Sequence, residues 1–157
     1  MAHEFDNPTL TLVRDLFIFA CFTALSFVDM KELTTDEIVE VNGEKWILSK
    51  RHKTNVPFQV KLLDIPLQII ERYKYLSEDK LVFGKINYWT MCKQLKKVMA
   101  ECGIEKQISY HCARHTFGTL ALSKGMPIES VSRVLGHTNI VTTQIYAKIT
   151  TQKLDND

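Results

Sequence analysis

Residues 110–146 constrain this chain more than any other stretch. They read YHCARHTFGTLALSKGMPIESVSRVLGHTNIVTTQIY. The punctuation predicts three helices in succession. Ser109 is placed to cap the first, and Gly125 closes it. Pro127 starts the second, Gly136 ends it, and Thr138 or Asn139 starts a short third. Phe117, Leu120, Ala121 and Leu122 supply the buried side of the first helix, and Ile128, Val131, Val134 and Leu135 that of the second. Into this frame the sequence sets His111, Arg114, His137 and Tyr146. His111 and Arg114 are three apart and share a helical face. His137 follows a Leu-Gly step, and Tyr146 comes nine residues later.

The four side chains offer one oxygen nucleophile and three hydrogen-bond donors for an anion. An arginine fork suits phosphate, and histidines can donate to phosphate oxygens or move protons near neutral pH. No carboxylate cluster accompanies them, which argues against a two-metal phosphotransfer site. A phosphodiester attacked by Tyr146, its charge held by side chains, fits this inventory, and neither metal nor cofactor is expected. His115 follows Arg114 and is read as structural, on a different helical face from His111. Cys112 is read as packing.

HCARHTFGTLALSKG followed by VSRVLGHTNIVTTQIY closely resembles the tyrosine recombinase (phage integrase) family. Members carry His-x-x-Arg, then Leu-Gly-His, then a tyrosine nine residues after that histidine, and all three pieces stand here in order. The resemblance spans about 9–148. It implies a catalytic domain that is mostly α-helical with a small three-stranded antiparallel sheet (α+β). It also implies an activity: attack of Tyr146 on a scissile phosphate, a 3′-phosphotyrosyl DNA intermediate, and strand exchange in integration or excision, without metal or ATP. Arg114, His111 and His137 would hold the phosphate. Implied partners are a duplex DNA recombination site, further copies of the recombinase in a tetramer on DNA, and accessory DNA-bending proteins. Family members also carry core-binding and arm-binding domains upstream. The expectation is therefore one catalytic domain over 1–157, with a core to about 148 and a polar tail over 149–157, cut from a longer integrase.

Elsewhere the chain agrees. Asn7-Pro8 opens a helix with Leu12, Val13, Leu16, Phe17, Ala20 and Ala24 at helical spacing, ending near 23 or 25. Residues 34–37 make a turn or helix start. Ile38, Val39 and Val41 form a strand, Asn42-Gly43 a hairpin turn, residues 45–48 the return, and Val56, Phe58 and Val60 a third strand. Residues 66–76 read as a helix with Leu67, Ile70, Tyr73 and Leu76 on one side. Asn87 caps another that runs to about 101, with Gly103 behind it. Its Lys93, Lys96 and Lys97 make a basic face able to meet DNA backbone.

One departure matters. Where the family usually reads Thr-Gly-Leu-Arg, this chain has Thr23-Ala24-Leu25-Ser26, so the first of two phosphate-clamping arginines is missing. Loss of one such donor costs about 10²–10³ in rate. Integrases of conjugative transposons of gut anaerobes share this lack, and the sequence looks like theirs. In the family a hairpin lysine protonates the leaving 5′ oxygen, and Lys53 matches it. Arg51, two residues earlier on a segment read as extended, would point to the same side and supply the charge missing at Ser26. On that reading Arg51→Ala costs cleavage far more than folding. Two other readings stay open: a DNA-binding or regulatory relative that has lost the chemistry, and a type IB topoisomerase-like relaxase.

Composition sets the outer limits. A chain of 157 residues suffices for a real core. Net charge is +2, so any DNA surface must come from local clusters such as residues 50–53. Four scattered cysteines with no C-x-x-C pair read as free thiols of a reducing cytoplasm, with no zinc site. No apolar run reaches the ~20 residues of a membrane span. A cytoplasmic, DNA-associated bacterial protein is expected.

Overall fold

The structure, a computed structural model, describes the backbone of residues 3–75 and 79–154 and the side chains of these as far as Ile149. Among them are seven α-helices and one sheet: α1 (Pro8–Thr23), α2 (Phe27–Lys31), β1 (Ile38–Val41), β2 (Glu44–Lys50), β3 (Pro57–Lys61), α3 (Asp64–Tyr73), α4 (Tyr88–Glu101), α5 (Cys112–Ser123), α6 (Ile128–Leu135) and α7 (Val141–Leu154). The mostly helical class with a three-stranded antiparallel sheet is as expected.

Helix α1 is the mast. The Asn7 side chain accepts the Thr9 amide at 2.8 Å and Pro8 sits at the first turn. Leu10, Val13, Leu16, Phe19 and Ala20 bury one side against α3, α4 and α5. Each large side chain so buried contributes about 1.5–3 kcal/mol. Asp15 is wholly buried too, and accepts from Arg14 Nε (2.8 Å), Arg72 Nη1 (2.6 Å) and the Tyr73 hydroxyl (2.8 Å). That carboxylate ties α1 to α3, and burial beside it pushes the Tyr73 phenol up to about 12. Helix α1 stops at Ala24, which adopts the left-handed conformation (φ 57°).

The sheet is ordered β1-β2-β3, with Ile38 opposite Ile47 and Ile47 opposite Val60. Asn42 and Gly43 both take positive φ, as a two-residue hairpin requires. Thr34 and Glu37 form a capping box at a 3-10 turn over 35–37. Asn87 caps α4 through the Thr90 amide at 2.8 Å, and Gly103 (φ 69°) follows its end.

Several expectations need correction. Helix α3 begins at Asp64 and ends at Tyr73; its buried face is Pro66, Ile69, Ile70 and Tyr73, with Leu67 only half-buried, and Leu76 lies outside the described residues. Helix α5 begins at Cys112, with His111 as its cap residue; the Ser109 hydroxyl meets Cys112 Sγ at 3.6 Å instead of capping the helix. Leu120 faces outward (40% exposed), whereas Phe117 and Ala121 are buried. The third helix is not short: α7 opens at Val141, whose amide is held by the Asn139 side chain, and continues through Leu154 into the stretch expected to be tail. Residues 155–157 lie outside the described ones.

Two cores result. The larger gathers α1, the sheet, α3, α4 and the start of α5. A smaller one consists of Ala24, Phe117, Ala121, Val131, Leu135 and Tyr146, and joins α5, α6 and α7 beyond the end of α1.

Candidate active site

The site forms where α1 and α6 end and α5 begins. Arg114, on the first turn of α5, donates from Nη1 to the Ala24 carbonyl and from Nη2 to the Leu135 carbonyl at 2.6 Å. Arg51 arrives from the end of β2. It donates to the same Ala24 carbonyl (3.4 Å), to Asp29 Oδ2 (2.8 Å) and to the Val134 carbonyl. Its guanidinium also lies over the Phe58 ring, 4.0 Å from the centroid. Two guanidinium groups thus share one backbone oxygen. Their mutual repulsion is offset by Asp29 and by the carbonyl-rich ends of two helices, where the dipole favours cations. Burial, and then Arg51, lowers the Arg114 pKa; burial lowers that of Arg51 against the pull of Asp29. Both still start far above neutrality and stay charged.

Ser26, where the family resemblance implies an arginine, caps α2. Its hydroxyl donates to Asp29 Oδ2 at 2.8 Å and accepts the Asp29 amide at 3.2 Å. Asp29 Oδ1 in turn accepts the His52 amide at 2.9 Å. Burial raises the Asp29 pKa, but the His52 amide, Arg51 and the Ser26 hydroxyl outweigh it and the net shift is downward. Ser26 and Arg51 thus meet on one Asp29 oxygen, while the other anchors the β2–β3 turn through the His52 amide. Sequence reading passed over Asp29; the signal was its position three residues after Ser26, where a cap and its partner meet.

Arg51 and Lys53 do not lie on an extended segment. Residues 52–54 form a turn, closed by Asn55 N to Arg51 O at 2.8 Å with Asn55 at φ 54°. Arg51 is buried and Lys53 exposed, yet both line one cleft of about 680 Å³ together with Ser26, Asp29, His111 and Arg114. Gly136 borders the same cleft in the left-handed conformation (φ 68°), and a Cβ there would come within 3.1 Å of the Arg51 side chain.

Tyr146 sits on α7 with its ring buried against α5. A Cβ at Gly118 would meet that ring at 2.9 Å, so only glycine admits the ring so close. His137 stacks nearly parallel to it (6.5 Å, 13°), and its Nδ1 is paired at 2.8 Å with the hydroxyl of the fully buried Thr143. Burial raises the Tyr146 pKa and Arg114 opposes it. Burial lowers the pKa of both His111 and His137, with further depression by His115 and Arg114. Both shifts favour the neutral imidazole.

His115 does not face away from His111. Four helical residues turn 400°, only about 40° past a full circle, so the two share a side. Their rings lie 4.7 Å apart, and the His115 ring lies 5.4 Å from Tyr146. The i, i+4 spacing was the available signal.

Of the expected site residues, Arg51, Lys53, His111 and Arg114 surround the cleft, while His137 and Tyr146 stack at its flank. Among the described residues no group of three or more histidine, cysteine or acidic side chains is placed to hold a metal ion.

Comparison with known proteins places the fold and the family. The profile of the Phage integrase family matches residues 3–153. Tyrosine recombinase XerA of Saccharolobus solfataricus is 37% identical over 130 residues, covering 80% of this chain and 43% of the relative. Tyrosine recombinase XerD of Listeria monocytogenes is 47% identical over 62 residues, covering 40% of this chain and 21% of the relative. The chain thus spans less than half the length of these relatives. Among solved structures, the XerH site-specific recombinase bound to palindromic difH substrate, in its post-cleavage complex, superposes with a TM-score of 0.79 at 22% identity, covering 98% of this chain and 47% of that one. With the family profile matched along nearly its whole length, the chain belongs to the phage integrase family, the tyrosine recombinases.

Proposed function

We propose that this chain is the catalytic part of a site-specific DNA recombinase that cuts and rejoins duplex DNA through Tyr146. The observation that carries the reading is the paired guanidinium groups of Arg51 and Arg114 on the Ala24 carbonyl, beside a cleft that Lys53 and His111 also line. Such a pair suits a phosphodiester, whose negative charge relieves the repulsion between the two cations.

In the proposed reaction the Tyr146 oxygen attacks phosphorus in line and the bond from phosphorus to the 5′ oxygen breaks. The tyrosine proton passes to a neutral imidazole, His111 or His137, and Lys53 gives a proton to the departing 5′ oxygen. Arg114, Arg51 and the histidines hold the charge that builds on the non-bridging oxygens. A 5′ hydroxyl from another strand then attacks the 3′-phosphotyrosyl bond and frees Tyr146. Arg51 supplies the charge missing at Ser26; the integrases of conjugative transposons of gut anaerobes that the sequence resembles also lack an arginine there. The partners proposed are a duplex recombination site and, in the full-length protein, further copies of itself in a tetramer; accessory DNA-bending proteins are a further expectation.

The test is a nicked suicide duplex spanning the joined ends of the host element, incubated with the full-length protein and run on a denaturing gel. The expected result is an SDS-resistant protein–DNA adduct that Tyr146→Phe abolishes. An intact Tyr146→Phe adduct would remove Tyr146 as nucleophile. No adduct from the wild type would favour a DNA-binding relative without chemistry.

A further inference from the structure

His115 has no part in the reaction just described, yet it is the ring that links two groups that do. Its imidazole lies edge to face with His111 (4.7 Å, 86°) and tilted against the Tyr146 phenol (5.4 Å, 60°). On the far side of the slot His137 stacks on Tyr146, and Gly118 forms the floor with no room for a methyl group. His111 lines the cleft, and the His115 ring makes contact with His111 on one side and with Tyr146 on the other. It is an exposed residue on an exposed edge of α5, and the core does not need it. Edge-to-face and tilted ring contacts at these separations hold relative orientation, because the positive ring edge favours the neighbouring π face.

We propose that His115 is a positioning residue of the nucleophile: wedged between His111 and Tyr146, its ring sets the tilt of the phenol and its spacing from His111. This rests on the function proposed above. Nucleophilic displacement depends steeply on placement, and an error of 1 Å can cost about 10²-fold. A side chain that fixes the phenol without touching the DNA should therefore act on the cleavage step and leave binding alone.

The experiment compares full-length wild type, His115→Ala, His115→Phe, Lys53→Ala and Tyr146→Phe in single-turnover adduct formation at saturating suicide duplex. It uses an ordinary phosphodiester and a second duplex with sulfur at the 5′ bridging position. A sulfur leaving group departs without a proton, so that duplex bypasses Lys53 and nothing on the nucleophile's side. DNA affinity and thermal midpoint are measured for each variant. The expected result is a loss of about 10- to 100-fold for His115→Ala on both duplexes, with affinity and midpoint near wild type. His115→Phe, which keeps a ring in the wedge, recovers most of the rate, and sulfur rescues Lys53→Ala alone.

Wild-type rates in His115→Ala would overturn the proposal. Rescue of that variant by sulfur would also overturn it, by moving the defect to the leaving group. A His115→Phe as slow as the alanine variant would exclude positioning by the ring. A wild type that forms no adduct overturns the function itself, before any His115 variant is compared.

Discussion

Arg51 has two duties that a single truncation cannot separate. Its side chain is buried, paired with Asp29 at 2.8 Å and packed over Phe58, so it is structural as well as cationic. The sequence suggests that Arg51→Ala would spare folding, and its burial says otherwise: removing one partner of a buried ion pair costs roughly 3–5 kcal/mol. Arg51→Lys is the better probe. It keeps a positive charge for Asp29 but loses the fork that reaches Asp29, Val134 and Ala24 together. The expected outcome is a smaller loss of stability than in Arg51→Ala, with cleavage down by about 10²–10³. Single-turnover cleavage well below each variant's thermal midpoint, set beside the denaturation curves, gives both quantities. Wild-type cleavage in Arg51→Lys would mean that a point charge suffices and that the fork has no catalytic part.

The contact of α5 with α7 turns on Gly118. An alanine there would favour the helix by about 1 kcal/mol in an open position. Here the new methyl would press on the base of the Tyr146 ring, at 2.9 Å from Cδ2 and 3.0 Å from Cγ, which cannot swing aside without moving the phenol. Overpacking of this kind costs about 1–3 kcal/mol. The two effects partly offset, so Gly118→Ala should shift stability by less than about 2 kcal/mol while slowing adduct formation up to about 10²-fold. A variant as fast as wild type would show that the ring is free to move. Nothing in the sequence marks Gly118 as special, because its constraint comes from a residue 28 positions away. What could be read were local effects: the Asn7 and Asn87 caps, the Asn42-Gly43 turn and the glycine end at Gly136 depend on residues within a few positions of one another. The misses depended on tertiary packing. Leu120 is apolar yet exposed, and the Ser109 side chain meets a thiol instead of an amide. The reach of α7 past the expected core carries only Ile149 and Leu154 as apolar residues, too few to signal a helix in the sequence. The site divides the same way: the spacing of His111, Arg114, His137 and Tyr146 could be read directly, whereas Asp29 and His115 left only a local spacing whose meaning came from the fold.

Tyr146 does not belong to the main core. Leu16, Phe19, Ile47, Ile69, Met91 and Leu95 pack in the larger cluster, whereas Tyr146 packs with Ala24, Phe117, Ala121, Val131 and Leu135 in the smaller. Helix α7 makes its main contacts with α5 and α6, and three of its apolar residues, Val141, Ile145 and Ile149, are exposed. Opening α7 would uncover little apolar surface beyond the Tyr146 slot, while opening α1 would dismantle the whole larger cluster. Free energies of local opening follow that difference in buried contact, from near zero up to the global value. Amide exchange in α7 should therefore run through a local opening well below the global unfolding free energy, with α1, α4 and β2 exchanging only on global unfolding. Adding DNA that fills the cleft should slow exchange in α7 more than in α4 if, as proposed, Arg114 and His137 both hold the phosphate, because His137 stacks on the Tyr146 ring. Native-state exchange read by mass spectrometry across a denaturant series checks both statements. If α7 proved as protected as α1 without DNA, Tyr146 would be fixed in place by the fold alone, and DNA would not be needed to order it.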